Sequence, residues 1–183
     1  RQNVIEFRDG DYDWSFDVVD RAGNKANTYK SGKFTVDTVN PVLDVSFDNN
    51  DVQNGKYYKA SRTATIKVTE KNFDPNLVKV EGGSVSGWSS NGDVHVARVV
   101  FAKDGVYNLT VGVSDKAGNS ANPYNSGEFV VDLTVPNVEI GGVTDGVAFH
   151  NAVDLFVKYA DENLDEERTI IELVGREKGR ITL

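Results

Sequence analysis

The sequence predicts an all-β chain of tandem β-sandwiches, one copy complete and two partial. Three observations carry this. The chain repeats itself at a fixed spacing, its apolar residues alternate with a period of two, and turn-forming residues punctuate it at short intervals.

The repeat sets the frame. Residues 9–41 align without a gap on residues 104–136 at an offset of 95, with 17 identities in 33 positions, far too many for chance. A second match joins residues 54–75 to 145–166 at an offset of 91. The change of offset places a four-residue deletion in the loop after the first strand of the later copy. One complete unit therefore spans residues 38–132. Residues 1–37 match only the end of a unit, and residues 133–183 only its start.

The strands follow in order. In "GDYDWSFDVVD", Tyr12, Trp14, Phe16 and Val18 alternate with Asp13, Ser15 and Asp17. "TATIKVT" turns Ala64, Ile66 and Val68 inward. "EKNFDPNLVKV" reads as a turn leading into a strand, and its counterpart within residues 161–173 reads the same way. "HVARVVF" and "GEFVVD" supply further short strands. In "GVYNLTVGVSD", Tyr107, Leu109, Val111 and Val113 share one face. One apolar and one wet face mark a sheet buried on a single side. No stretch carries a helical period with caps. "DGDY" and "DGVY" place Tyr12 and Tyr107 at the start of alternating strands, the position of a tyrosine corner, where the phenol bonds back to upstream backbone. The position two residues on, a disulfide cysteine in antibody domains, holds Trp14 or Leu109, so packing replaces the bridge.

These features together carry a resemblance. The runs "NGKYYKASRTATIKVTEKNFDP" and "DGVYNLTVGVSDKAGN", the "D-x-A-G-N" turn and the junctions "VDTVNP" and "VDLTVP" resemble the bacterial Ig-like repeats of large surface proteins, mainly of Gram-positive bacteria. The resemblance covers essentially the whole chain. It implies tandem immunoglobulin-like β-sandwiches in an extracellular setting, on the cell surface or secreted. The implied role is a non-catalytic spacer, or stalk, presenting a terminal functional domain. Two alternatives stay open: an adhesin or carbohydrate-binding module, and an accessory region of a secreted glycosidase. Implied partners are neighbouring repeats and a host glycan or protein.

Bulk properties narrow the classes. The formal charge of −8 and pI near 4.8 oppose a protein that grips nucleic acid or anionic lipid. No apolar run approaches the ~18 residues that cross a bilayer, so membrane insertion is not expected. Cysteine is absent, which removes disulfides, thiolate metal sites and cysteine nucleophiles. Methionine is absent even at residue 1, so the chain reads as a piece of a longer one.

Candidate chemistry is sparse. A phosphate loop needs several glycines leading into a helix, whereas Asp20, Gly23, Asn24 and their repeats Asp115, Gly118, Asn119 lead to more strand. They read as a structural turn: aspartate accepting backbone N–H groups, glycine supplying positive φ, asparagine tolerating the left-handed region. Calcium is the metal to weigh, because hard cations take oxygen ligands. Asp9, Asp11 and Asp13 form one oxygen-rich stretch, Asp48 and Asp51 another, and Asp37 and Asp132 sit at the junctions. No other cofactor is expected. His95 and His150 fall at non-equivalent positions with no implied partners, so no enzyme is expected. Lys67 and Lys158 lie on outward parity, against an intramolecular isopeptide bond. Trp88, in a polar loop, is the candidate glycan contact, against its reading as a core anchor. Residues 1–37 and 133–183 together nearly make one sandwich, so head-to-tail self-association through these ends is a further expectation.

Overall fold

The computed structural model describes residues 2–172 and divides into two compact units, Arg1–Val131 and Asp132–Leu183. The first unit opens with four short strands: β1 (Gly10–Tyr12), β2 (Ser15–Phe16), β3 (Tyr29–Lys30) and β4 (Phe34–Val36). β1 pairs antiparallel with β4, and β2 with β3.

A two-sheet sandwich follows. One sheet has the order β5 (Val42–Phe47), β7 (Arg62–Thr69), β10 (Val94–Phe101), β9 (Ser89–Asn91), all antiparallel. The other has the order β6 (Tyr57–Tyr58), β12 (Tyr124–Val131), β11 (Gly105–Val113), β8 (Val78–Glu81). Here β6 runs parallel to β12, so the first part of the repeat contributes to both sheets. In the second unit β13 (Asn137–Gly141) pairs antiparallel with β14 (Phe156–Ala160), the counterparts of β5 and β7.

The period-two pattern translates directly into burial. Ala64, Ile66 and Val68 on β7 are fully buried, and the register sets Ile66 opposite Ala97 and Ala64 opposite Val99 on β10. Leu109, Val111 and Val113 close the core from β11, with Phe129 and Val131 from β12. Leu109, at the antibody cysteine position, is fully buried, so apolar packing fills the place of the disulfide. The chain crosses between sheets at residues 102–104. There the Tyr107 hydroxyl donates to the Lys103 carbonyl at 3.0 Å, and Tyr12 repeats the bond to Arg8 at 2.7 Å.

Two expectations need revision. Trp14, Phe16 and Val18 were expected to face a core, yet they are 40, 56 and 45% exposed. The strands that cover this face in the complete sandwich are β7 and β10, and residues 1–37 contain no counterpart to either. Trp14 instead stacks on Tyr29, with centroids 5.1 Å apart, and Tyr12 packs with Phe7 and Phe34. The stretch 161–173 forms a turn and a 3-10 step at Glu166–Arg168, N-capped by the Asp165 carboxylate. Residues 169–172 are irregular, and the rest of the expected strand lies outside the described residues.

Packing at this density makes deletions costly. Ile66→Ala should destabilise the sandwich by about 2–5 kcal/mol, whereas Val100→Ala, on the wet face of β10, should stay within about 0.5 kcal/mol. Urea unfolding followed by tryptophan fluorescence checks both.

Candidate functional site at the repeat junction

The "D-x-A-G-N" turn follows β11. Its aspartate, Asp115, is 2% exposed. Asp115 Oδ1 accepts the N–H groups of Ala117 (2.8 Å) and Asn119 (2.9 Å), and Oδ2 accepts Asn119 Nδ2 (2.8 Å). Gly118 sits at φ +95°, a conformation that favours glycine. The first copy repeats the device: Asp20 accepts from Ala22, Asn24 and the Asn24 side chain, with Gly23 at φ +87°. The Asn24 side chain, then its N–H, holds the Asp20 carboxyl below the usual carboxylate range. Asparagine's part differs from the expectation. Asn119 and Asn24 do not take positive φ; among the described residues only Asn54 does so outside glycine. The asparagine is there for its amide, which closes the turn onto the aspartate.

That amide also reaches further. Asn119 Nδ2 donates to the main-chain oxygen of Asp37 at 3.0 Å, across 82 residues of sequence. Asp37 belongs to the "VDTVNP" junction between the first partial repeat and the complete one. A second asparagine grips its side chain: Asn72 Nδ2 donates to Asp37 Oδ2 at 2.5 Å, while the Asn72 N–H donates to Glu70 Oε1 at 2.6 Å. The Asn72 carbonyl accepts the Lys116 N–H at 3.1 Å, joining the two turns. Carboxylate oxygens of Asp37, Glu70 and Asp115 thereby come within 4.8 Å of one another. Glu70 is 6% exposed, and its carbonyl accepts from His95 Nε2 at 2.8 Å. A carbonyl can only accept, so Nε2 carries the proton; in the neutral ring Nδ1 then accepts from Ser90 Oγ at 2.7 Å. Phe73 stacks on the imidazole with centroids 4.1 Å apart. His95 is thus a support beneath Glu70.

The donor set is all oxygen and strongly anionic, the kind that hard cations take. Asp37, Glu70 and Asp115 are the residues that could hold one, with water completing the shell. Asparagine N–H groups offset part of the mutual repulsion of the carboxylates. The second unit repeats half of the arrangement: Asn163 donates through Nδ2 to Asp132 Oδ2 (3.1 Å) and through its N–H to Asp161 Oδ1 (2.7 Å).

The remaining sequence candidates are dispersed. Asp9 accepts from the Thr38 N–H (3.0 Å) and hydroxyl (2.9 Å). Asp11 pairs with Lys71 at 2.8 Å, and Asp13 does not join the cluster. Asp48 accepts the Thr63 N–H at 2.7 Å and Asp51 accepts Gln53 Nε2 at 3.0 Å. Trp88 is half-buried against the core, edge-on to Phe73 at 5.0 Å. Of the acids expected to bind calcium, only Asp37 enters the cluster; Asp115, expected as a turn residue, joins it. Glu70 was missed. Its signal was available, because the matching position of the later copy holds Asp161, again followed two residues on by asparagine.

Two outcomes follow. Gly118→Val should cost about 1–2 kcal/mol through backbone conformation alone, since a Cβ there meets no atom within 4 Å; a thermal melt reads it. Acid should also destabilise the sandwich through Asp48. The Thr63 N–H is the chief cause of its lowered pKa. A lowered folded pKa contributes stability in full above the ordinary value of about 3.9, and that stability is lost as pH falls through the folded value. Asp48→Ala should therefore lower stability at pH 7 and flatten its decline below about pH 4, as urea titrations across pH would report.

With fold and site described, relatives can be placed. The family model for the bacterial Ig-like domain (group 3) matches residues 2–104 and again residues 99–178. The boundary between the two matches lies at the crossing from β10 to β11, so each match is a shifted frame of the structural repeat. No curated protein and no solved structure matches the chain. Two consecutive matches that leave only the extreme ends uncovered carry the conclusion: the chain belongs to the bacterial Ig-like domain (group 3) family.

Proposed function

We propose that this chain is a non-catalytic spacing segment of a bacterial cell-surface or secreted protein, with neighbouring repeats as its partners. Its work is mechanical: to hold a functional domain at a distance and to limit bending between successive sandwiches. The observation that carries this reading is the clamp on Asp37. A junction meant to swivel would leave its backbone to water, whereas here two asparagines from separate turns hold one junction residue by its carbonyl and its carboxylate. Thr38 adds a further restraint through Asp9. Trp88, seated on Phe73, has a packing role, which favours spacing over a glycan contact at that side chain. A calcium ion among Asp37, Glu70 and Asp115 would reinforce the same clamp by bridging the junction to both turns.

Spin labels at Lys30 and Lys59 test this by electron–electron distance measurement. The wild-type chain should give a narrow distribution. The double variant Asn72→Ala/Asn119→Ala should broaden it while the Leu109 core stays folded. A broad wild-type distribution, with and without calcium, would sink the proposal. Thermal melts in calcium and in chelator separate the ion's contribution from that of the asparagines.

A further inference from the structure

The complete sandwich also holds a buried cation that the spacer reading does not use. Arg62, first residue of β7, is 6% exposed. Its guanidinium carbon lies 3.8 Å from the Tyr58 ring centre, 3.9 Å from Phe47 and 4.6 Å from Phe129. Such a cage offsets part of the cost of desolvating the charge. It does not supply the acceptors that a guanidinium requires. Nε donates to the Asn49 carbonyl at 2.9 Å, the only hydrogen bond recorded for this side chain among the described residues. Among the described residues no carboxylate forms a salt bridge with it, and Asp48 acts on it only through space. Asp48 is engaged with Thr63, and Glu128 with Lys56 at 2.6 Å. Burial lowers the Arg62 pKa, and burial raises that of Tyr124 against the opposing pull of the Arg62 charge.

Arg62 lines a cavity of about 440 Å³ between β5 and β12, within the size range of small-ligand pockets. Asn50, Tyr124 and Ser126 also line it, with Lys56 and Glu128. This is a polar wall, and the faces of the aromatic rings are taken up by the guanidinium itself. Ser126 Oγ is taken up by the Leu109 N–H and the Gly127 carbonyl, and Asn50 Nδ2 by the Phe47 carbonyl, which leaves the Tyr124 hydroxyl and Asn50 Oδ1 to meet a ligand's hydroxyl groups. The later copy of the unit does not carry the arginine. The matching position of the later repeat is Val153, and that of Lys56 is Val147. A buried cation that the repeat can omit, with its remaining donors left for a ligand, is the signature of a site rather than of a core.

We propose that this cavity binds a carboxylate-bearing sugar of monosaccharide size, with Arg62 receiving the carboxylate and the Tyr124 hydroxyl and Asn50 Oδ1 receiving sugar hydroxyls. This goes beyond spacing, since a spacer needs no ligand, and it places the contact on residues of β5, β6, β7 and β12 rather than at Trp88.

The test is a titration of the full chain followed by ¹H–¹⁵N spectra that include the arginine Nε–H signals. Glucuronate and N-acetylneuraminate are the probes, with glucose as the neutral control and acetate as the bare carboxylate. At least one acidic sugar should move the Arg62 Nε–H signal saturably, while glucose does not and acetate binds more weakly than the sugar. Arg62→Met keeps the stem between the rings and removes the charge; it should weaken binding about 10- to 100-fold with backbone dispersion retained. Should that variant unfold, Tyr124→Phe serves instead and should weaken the same titration. The proposal is overturned if neither acidic sugar saturates, if glucose binds equally, if acetate matches the sugars, or if the folded variant binds like the wild type.

Discussion

The hydrogen bond from Asn119 to the Asp37 carbonyl ties the complete sandwich to the junction that precedes it. It depends on Asp115, whose buried carboxylate orders the turn and aims the asparagine. Asp115 in turn depends on β11, because the turn starts where the buried alternation of Leu109, Val111 and Val113 ends. A strand that packs the core therefore sets the position of a turn, and the turn holds the preceding junction. Apolar packing is thus linked to a polar clamp in a chain that has no cysteine for a disulfide. Polar groups suit this task because hydrogen bonds fix direction, whereas apolar contact alone tolerates rotation.

Clustering acids at the junction has an electrostatic cost, and the molecule offsets it locally. Each carboxylate receives donors from its own turn or its neighbour: Asp115 from three N–H groups, Glu70 from the Asn72 N–H, Asp37 from the Val39 N–H and Asn72. His95, buried on the core-facing parity of β10, steadies the Glu70 main chain from below. The opposite solution appears at Arg62, where a single cation is wrapped in rings rather than paired with acid. One sandwich thus buries charge in two ways, with donors around anions and π-faces around a cation.

Much of the fold was legible in the residues. β7 and β11 could be read from alternation alone, because a sheet buried on one side imposes period two on its sequence. The tyrosine corners were legible for a similar reason: Asp-Gly-x-Tyr is a local pattern, and the bond it makes spans only four residues. The site was legible only in part. Asp37 and Asp115 stood out by repetition, but Glu70 follows a strand among ordinary polar residues, and Asp37 and Asp115, which it meets, lie far away in the chain. The incomplete first repeat was misread in the other direction. Trp14, Phe16 and Val18 carry the alternation of a buried strand, yet burial needs an opposing sheet, which residues 1–37 do not contain.

By itself, the sequence determined the all-β class, the repeat length, the main strands of the sandwich and the positive-φ glycines of its turns. Each of these follows from residue spacing or from contacts among near neighbours. Only the tertiary structure decided which polar groups meet: Asn119 with Asp37, Asn72 between Asp37 and Glu70, Arg62 within its three rings. Those meetings depend on how strands distant in sequence are stacked and registered. A local pattern carries the tendency to form a strand but no record of what the fold will bring opposite it.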